Sequence, residues 1–568
     1  VRRSLCILLL AALCAAAAPA RAEGMPEPRG WAEVMAGQWL ADMSLEEKVG
    51  QLFMVFFEGP SLSPAGMELL ARRHAGGVCL FSRTGNVQDP AQVARLAAEA
   101  RRMASPLDQG PGLFIAVDQE GGPVARLTKG CTVMPPAMLL GASGDPGNAR
   151  RAAQITAAEL AALGVNVNLA PVLDVNLNPA NPVIGARSFG ADPEAVARFG
   201  LAALKGYEDG GVMPVVKHFP GHGDTAVDSH AALPTLPHSR ERLDAVELLP
   251  FRRAVAEGAP AVMTAHLAVP ALDPLERPAT FSPPVLGLLR QAGFDGIIAT
   301  DSLGMGAVAR RMDAPTAALA AFQAGADLLL FGADTNFDPW DQDRAMARVL
   351  AAAQAGEISP ERLDASVRRI LRAKARFGIR GNRGPDPRRA AAACGTPEHR
   401  AAARDLAAAG LTLVRPAPGL LPFPPGAPIL ALWPGGAPDL AELLAVAAPG
   451  MQVRLLDADP TPEAIEAAAR KAEAAPAVLL LTTRADRHPG QAALGRALPG
   501  AKLVVASLAE PYDLALFPHA AGLVAAYGRT PCVLEALAAM LCGAGPAGGR
   551  LPVVVPGLAE NSPENRNG

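Results

Sequence analysis

The sequence predicts an α/β chain of two units, an N-terminal (β/α)8 barrel of the TIM type followed by an α/β/α sandwich, on three observations. Short apolar runs alternate with Ala-rich helical stretches through Phe377. Polar residues stand where those runs stop, as they do at the catalytic rim of a barrel. Past a Gly/Pro-rich break, a second and shorter set of apolar runs begins.

Residues 1–22 carry Arg2 and Arg3, an apolar run from Leu5 to Ala18, and the small-residue site Ala20-Arg21-Ala22. These are the marks of a secretory signal peptide cut before Glu23, so the mature protein is expected to be secreted or periplasmic. The run is short for a bilayer and no later stretch is apolar for long enough to span one. No stable membrane insertion is therefore expected after cleavage. Two of the seven cysteines leave with the leader. Cys79, Cys131, Cys394, Cys532 and Cys542 remain, an odd number without CxxC spacing, and read as buried small hydrophobes.

A helix from Trp31 to Met43 and a capped turn at Ser44 lead into the first unit, residues 31–380. Its apolar runs are Gly50–Phe57, Gly76–Phe81, Leu113–Val117, Val165–Leu169, Met213–Val216, Ala261–Ala265, Gly296–Thr300 and Ala326–Phe331. Eight such runs, each with room for a helix after it, predict the barrel; an open doubly wound sheet is the alternative that the same alternation allows. The stretch from Arg372 to Ala393 reads as a linker, set at 381–396. A helix from Glu398 to Ala409 then opens the sandwich unit, 397–558, with strands near Ile429–Leu432, Val453–Leu456, Val478–Thr482, Lys502–Ser507 and Gly522–Ala526. Residues 559–568 read as a polar tail. Over the 568 residues the net charge is −3 and the pI about 6.4, with no basic excess, which excludes nucleic acid as an expected partner.

The chemistry concentrates after the fifth run. Lys217, His218, His222, Asp224, Asp228 and His230 put six protonatable groups into fourteen positions, on a segment broken by Pro220, Gly221 and Gly223. Loops held by a rigid strand suit general acid/base work. His230 stands two positions beyond Asp228, and a carboxylate that accepts an imidazole N–H fixes the tautomer and stabilises the charged ring. Asp301 ends the run Gly296–Thr300 as a carboxylate on a rigid strand end, suited to a nucleophile. Asp118, Arg126, Arg187 and Lys217 read as hydroxyl- and charge-binding groups for a polar substrate; the plainer reading is solvated rim charges. His222 and Asp224, flanked by turn-forming glycines, read as loop-shaping residues.

Lys217-His-Phe-Pro-Gly-His-Gly-Asp-Thr with Asp228-Ser-His230, Val117-Asp-Gln-Glu-Gly-Gly122, Asn181-Pro-Val-Ile-Gly and Arg187-Ser-Phe-Gly190 resemble the bacterial β-N-acetylhexosaminidases of glycoside hydrolase family 3. Ser507-Leu-Ala-Glu-Pro-Tyr-Asp-Leu514, Ala525-Ala-Tyr-Gly528 and Gly549-Arg-Leu-Pro552 extend the resemblance to the family's second domain. The resemblance implies a retaining exo-β-N-acetylglucosaminidase that needs no cofactor or metal and acts on N-acetylglucosamine-containing glycans such as peptidoglycan fragments. It implies Asp301 as nucleophile, His230 oriented by Asp228 as acid/base, and Asp118, Arg126, Arg187, Lys217 and His218 around the terminal sugar. Pro123 and Ala186 depart from the family pattern, where an Arg and an acidic residue are common, which bears on the leaving-group side.

Other readings stay open at this point. A β-glucosidase, another family 3 glycosidase or a phosphorylase would share the same residues. A metal-dependent hydrolase would use His218, His222, His230, Asp224 and Asp228 as ligands, though no HExxH-like spacing is present. A non-catalytic cell-wall-binding protein would have no need of Asp301 or His230.

Overall fold

The computed structural model describes residues 29–105, 110–334, 338, 340–381 and 384–558. The expected leader and the polar tail lie outside them. Ser44 opens the helix Leu45–Gln51 with a capping box, its hydroxyl accepting from Glu47 N–H while Glu47 accepts from Ser44 N–H. That helix delivers the chain into the first strand.

Each of the eight apolar runs carries a strand. They are β1 (Phe53–Val55), β2 (Gly77–Leu80) and β3 (Phe114–Val117), then, beyond the hairpin β4 (Gln119–Gly121) and β5 (Val124–Ala125), β6 (Val167–Asn168), β7 (Met213–Pro214) with β8 (Val216–Phe219), β9 (Ala261–Thr264), β10 (Ile297–Ala299) and β11 (Leu329–Leu330). All but the hairpin are buried throughout, as continuous apolar runs in a parallel sheet covered by helices must be. One parallel sheet runs β11-β1-β2-β3-β6-β7 and another β10-β9-β8. Parallel bridges pair Val172 with Lys217 and Ala299 with Leu328 across the two ends, and the strands curl. The fifth run continues past Val216 as strand through Lys217 and His218. Both side chains therefore leave a rigid strand and not a loop.

The segment 372–393, read as a linker, is partly helical. The helix Pro360–Arg376 carries through its start, and Asp386 caps a short helix Pro387–Ala393 by accepting from Arg388 and Arg389 N–H, with Pro387 at the first helical position. The helix Pro397–Gly410 then leads into a six-stranded sheet, β12-β17-β16-β15-β13-β14. Its strands are β12 (Thr412–Arg415), β13 (Ile429–Pro434), β14 (Met451–Leu456), β15 (Ala477–Thr482), β16 (Leu503–Ser507) and β17 (Gly522–Ala525). The central strands β13, β15, β16 and β17 are wholly buried, whereas the edge strand β14 exposes Gln452 and Arg454. The other edge, β12, runs antiparallel and was not anticipated.

The two parts touch beside the C-terminal ends of the first set of strands. Asn176 Nδ2 donates to Tyr512 Oη (2.8 Å), Ala186 N–H donates to Glu510 Oε1 (2.9 Å), and Arg487 donates to the carbonyls of Ala180 (2.8 Å) and Asn181 (3.1 Å). Gly185, at φ +46°, has the Glu510 carboxylate 1.7 Å from where a Cβ would stand, so a side chain there would be strained and would displace that carboxylate.

Candidate active site

The strand ends open on a cavity of ≈ 400 Å³. Asp118, Arg126, Arg187, Lys217, His218, His230 and Asp301 all line it, and Asp228 stands behind His230. All eight residues expected from the sequence thus come together at one place.

One wall is a network of buried charges. Lys217 Nζ lies 2.8 Å from Asp118 Oδ1 and 2.6 Å from Glu120 Oε1. Arg187 grips Glu120 with two parallel hydrogen bonds of 2.8 Å, the planar fork that suits a carboxylate. Arg126 Nη2 adds a 3.2 Å contact to Asp118 Oδ2. Burial by itself would raise both acids, but Lys217 and then Arg126 hold the Asp118 carboxyl far below its usual range. Arg187 and then Lys217 likewise hold Glu120 at about 2. Both acids are ionised at any working pH and present fixed acceptors beside fixed donors.

His218 is held from behind. Its Nδ1–H donates to Asp174 Oδ2 (2.6 Å), while Arg187 Nη2, which can only donate, faces Nε2 at 3.3 Å. Asp174 also accepts from the backbone N–H of His222 (2.7 Å). His222 lines the cavity too, with Nδ1 at 2.7 Å from Thr225 Oγ1 and Nε2 at 3.1 Å from Ser229 Oγ. Burial keeps its ring neutral, with the pKa lowered to about 4. Asp224 turns away to His238 Nε2 (2.8 Å). Of the histidines that the metal-dependent alternative would use as ligands, His218 and His222 spend these nitrogens on separate partners. Among the described residues, the groupings tight enough to hold a cation lie elsewhere, at Cys131, Glu159 and Cys394 and at Asp224, His238 and Glu247.

Across the cavity, Asp301 Oδ1 accepts from Ser302 N–H (2.7 Å), which orients the carboxylate at the end of β10. Ser302 Oγ donates to Asp334, and the Ser302 carbonyl accepts from His266 Nε2–H (2.8 Å). Burial, with the nearby Asp301 charge adding to it, raises the Asp334 carboxyl even though Ser302 donates to it. His230 is exposed, at 61 % of its side chain. Its Nδ1–H donates to Asp228 Oδ1 (2.8 Å), leaving Nε2 free to face a substrate. The backbone of this loop rests on Gly306, where a Cβ would stand 2.4 Å from the His230 carbonyl oxygen, and Ala307 N–H donates to the Ser229 carbonyl (3.1 Å).

Glu120 and Asp174, which follow the third and fourth apolar runs, have no role assigned from the sequence, and Asp334 is not singled out there. Glu120 is in fact the hub that joins Lys217 to Arg187, and Asp174 is the buried anchor of both His218 and His222. Their positions, three residues past β3 and six past β6, were the available signal.

A carboxylate and a His–Asp pair facing one polar cavity at the ends of parallel strands form an arrangement suited to hydrolysis by acid/base and nucleophilic catalysis. The chain belongs to glycosyl hydrolase family 3: residues 44–373 match the family's N-terminal domain, described as "Glycosyl hydrolase family 3 N terminal domain". It is similar to beta-hexosaminidase A of Pseudoalteromonas piscicida, 36 % identical over 398 residues that make up 66 % of this chain and 64 % of that protein. It is 31 % identical over 553 residues to the beta-N-acetylglucosaminidase/beta-glucosidase of Cellulomonas fimi, covering 90 % of this chain and 94 % of that one. A solved family 3 beta-N-acetylglucosaminidase from Paenibacillus sp. str. FPU-7 superposes with a TM-score of 0.82 at 39 % identity, over 90 % of this chain and 99 % of the other.

Proposed function

We propose that the protein is a retaining, exo-acting β-N-acetylglucosaminidase that removes terminal β-linked N-acetylglucosamine from peptidoglycan-derived or similar glycans outside the cytoplasm. The observation that carries this reading is that Asp301 and the His230–Asp228 pair face one small cavity whose opposite wall is the Asp118–Lys217–Glu120–Arg187 network. The names of the relatives support the acetamido sugar.

In this reading the curled strands form a (β/α)8 barrel, 31–380, closed by the Val172–Lys217 and Ala299–Leu328 bridges. A connecting segment, 381–396, and an α/β/α sandwich, 397–558, follow it. Asp118, Arg126, Arg187, Lys217 and His218 bind the sugar hydroxyls. Fixed donors and acceptors cost no reorganisation as the ring flattens toward the oxocarbenium-like transition state. Asp301, one oxygen tied to Ser302 N–H, attacks the anomeric carbon with the other and forms the glycosyl-enzyme. His230, its charged form stabilised by Asp228, gives a proton from Nε2 to the leaving oxygen and then takes one from the water that releases the sugar.

The test is initial-rate hydrolysis of aryl β-N-acetylglucosaminide beside aryl β-glucoside, for the wild type and for Asp301→Ala and His230→Ala. Preference for the acetamido sugar with both variants crippled sustains the proposal. Equal or faster glucoside cleavage, or release of sugar 1-phosphate when phosphate is added, assigns the site to another activity of the family.

A further inference from the structure

Cys131 and Cys394 stand 263 positions apart in the sequence and meet in the fold. Their Sγ atoms and a carboxylate oxygen of Glu159 all lie within 4.8 Å of one another, and all three residues are buried. The backbones meet as well. Gly130 precedes one cysteine and Gly395 follows the other, and a Cβ on Gly395 would stand 2.7 Å from the Gly130 carbonyl oxygen. Gly130 and Gly395 also have φ of +78° and +59°, so both turns need glycine to bring the two chains this close.

Two occupations of such a thiol pair compete. A cation would need the Glu159 carboxylate, but that group already accepts from Thr132 N–H (2.8 Å), Thr132 Oγ–H (2.7 Å), Gly395 N–H (2.9 Å) and His399 Nδ1–H (2.8 Å). Three of these donors reach Oε1 and one reaches Oε2, and His399 is turned onto the group. Nor does the pocket favour thiolates. The neighbouring Cys394 thiol, burial and then Glu159 push the Cys131 thiol far up. Two neutral forms remain, a pair of thiols or an S–S bond, and the close approach of the two sulfurs and of the backbones beside them is what favours the bond.

We propose that Cys131 and Cys394 form a disulfide in the mature protein, linking the loop beyond Arg126 to the turn that ends the helix Pro387–Ala393. Either thiol, as thiolate, attacks the S–S bond of a disulfide-bearing oxidant, a protein dithiol–disulfide donor, and releases one donor thiol. The second cysteine then attacks the resulting mixed disulfide, forming the Cys131–Cys394 bond and releasing the other. Two protons and two electrons leave the pair, and the donor is reduced to its dithiol. The exchange takes place while the chain folds, because both sulfurs are buried afterwards.

The bond is read from peptide masses and does not depend on the proposed activity. The full chain is directed into a bacterial periplasm, denatured without reductant, alkylated and digested. The expected result is a Cys131–Cys394 linked peptide that falls apart on reduction, with Cys79, Cys532 and Cys542 alkylated. Reductant is expected to lower the thermal midpoint of this protein by several degrees and to leave that of a Cys131→Ala/Cys394→Ala double variant unmoved, as a bond closing a long loop requires. Alkylation of both cysteines before reduction, pairing of either with another cysteine, or one zinc per chain by elemental analysis would each overturn the proposal.

Discussion

Glu120 Oε1 and Lys217 Nζ are 2.6 Å apart in a place water barely reaches, with side chains 6 % and 3 % exposed. Breaking an isolated buried pair costs about 3–5 kcal/mol; here Lys217 keeps Asp118, so the loss of Glu120 falls mainly on Arg187 and the cost is smaller. Glu120→Gln is expected to lower the chemical-denaturation midpoint accordingly and to raise KM, since Arg187 loses its two-pronged anchor. An unchanged midpoint would show that the network does not depend on its hub.

Acid should unfold the protein in two stages. The folded state holds His222 at about 4 against its ordinary 6.5, so as pH falls through that window the unfolded chain takes up a proton that the native one refuses. His266 is displaced in the same direction by burial. The ionised Glu120, at about 2 against 4.5, contributes stability that is complete above pH 4.5 and lost as pH falls toward 2. Asp118 and Asp174, also lowered, act in the same sense. Denaturation midpoints measured from pH 7 to 3 should therefore begin to fall near 6.5, and His222→Asn should delay that first decline.

Asp228→Asn keeps a hydrogen-bond partner for His230 but removes the charge that stabilises the protonated ring. The expected loss in kcat is about 10²-fold or more on substrates with poor leaving groups, and much less where the leaving group needs no proton. Equal losses on both would remove His230 from the proton-donor role.

Gly306→Ala tests how the loop is seated. The added methyl meets the His230 carbonyl oxygen at 2.4 Å, a backbone contact that no rotamer relieves. The variant should fold with a lowered midpoint, because backbone must move, and lose about 10-fold or more in kcat, a displacement of the order of 1 Å being enough. The same selectivity for poor leaving groups as in Asp228→Asn marks the effect as misplacement of His230.

Much of this architecture is legible in the sequence because it is written locally. The eight apolar runs became strands buried on both faces, with polar residues inside them such as Asn166 and Asn168 hydrogen-bonded to neighbouring backbone, and the residues just past their ends, Asp118, Lys217, His218 and Asp301, line the cavity. The hairpin β4–β5 escaped notice because strands of three and two residues set no periodicity. The edge strand β12 is only partly buried and pairs with a strand more than a hundred residues later, so nothing local marks it. The roles of Glu120 and Asp174 depend on Arg187 and His218, which are 67 and 44 positions away, and such pairings exist only once the strands are side by side. Ala186 looked like a position lacking an acidic side chain. In the fold a carboxylate does meet its backbone, supplied by Glu510.

That contact ties the loop that leads to Arg187 to the C-terminal region. Glu510 accepts from Ala186 N–H and from Arg484, and it presses against Gly185 two residues before Arg187. A lineage that recombined its C-terminal region with that of a relative would replace what Gly185 and Ala186 rest on without altering any residue that lines the cavity. Substrate preference can then drift by exchange of parts, and cavity residues alone will not trace its history.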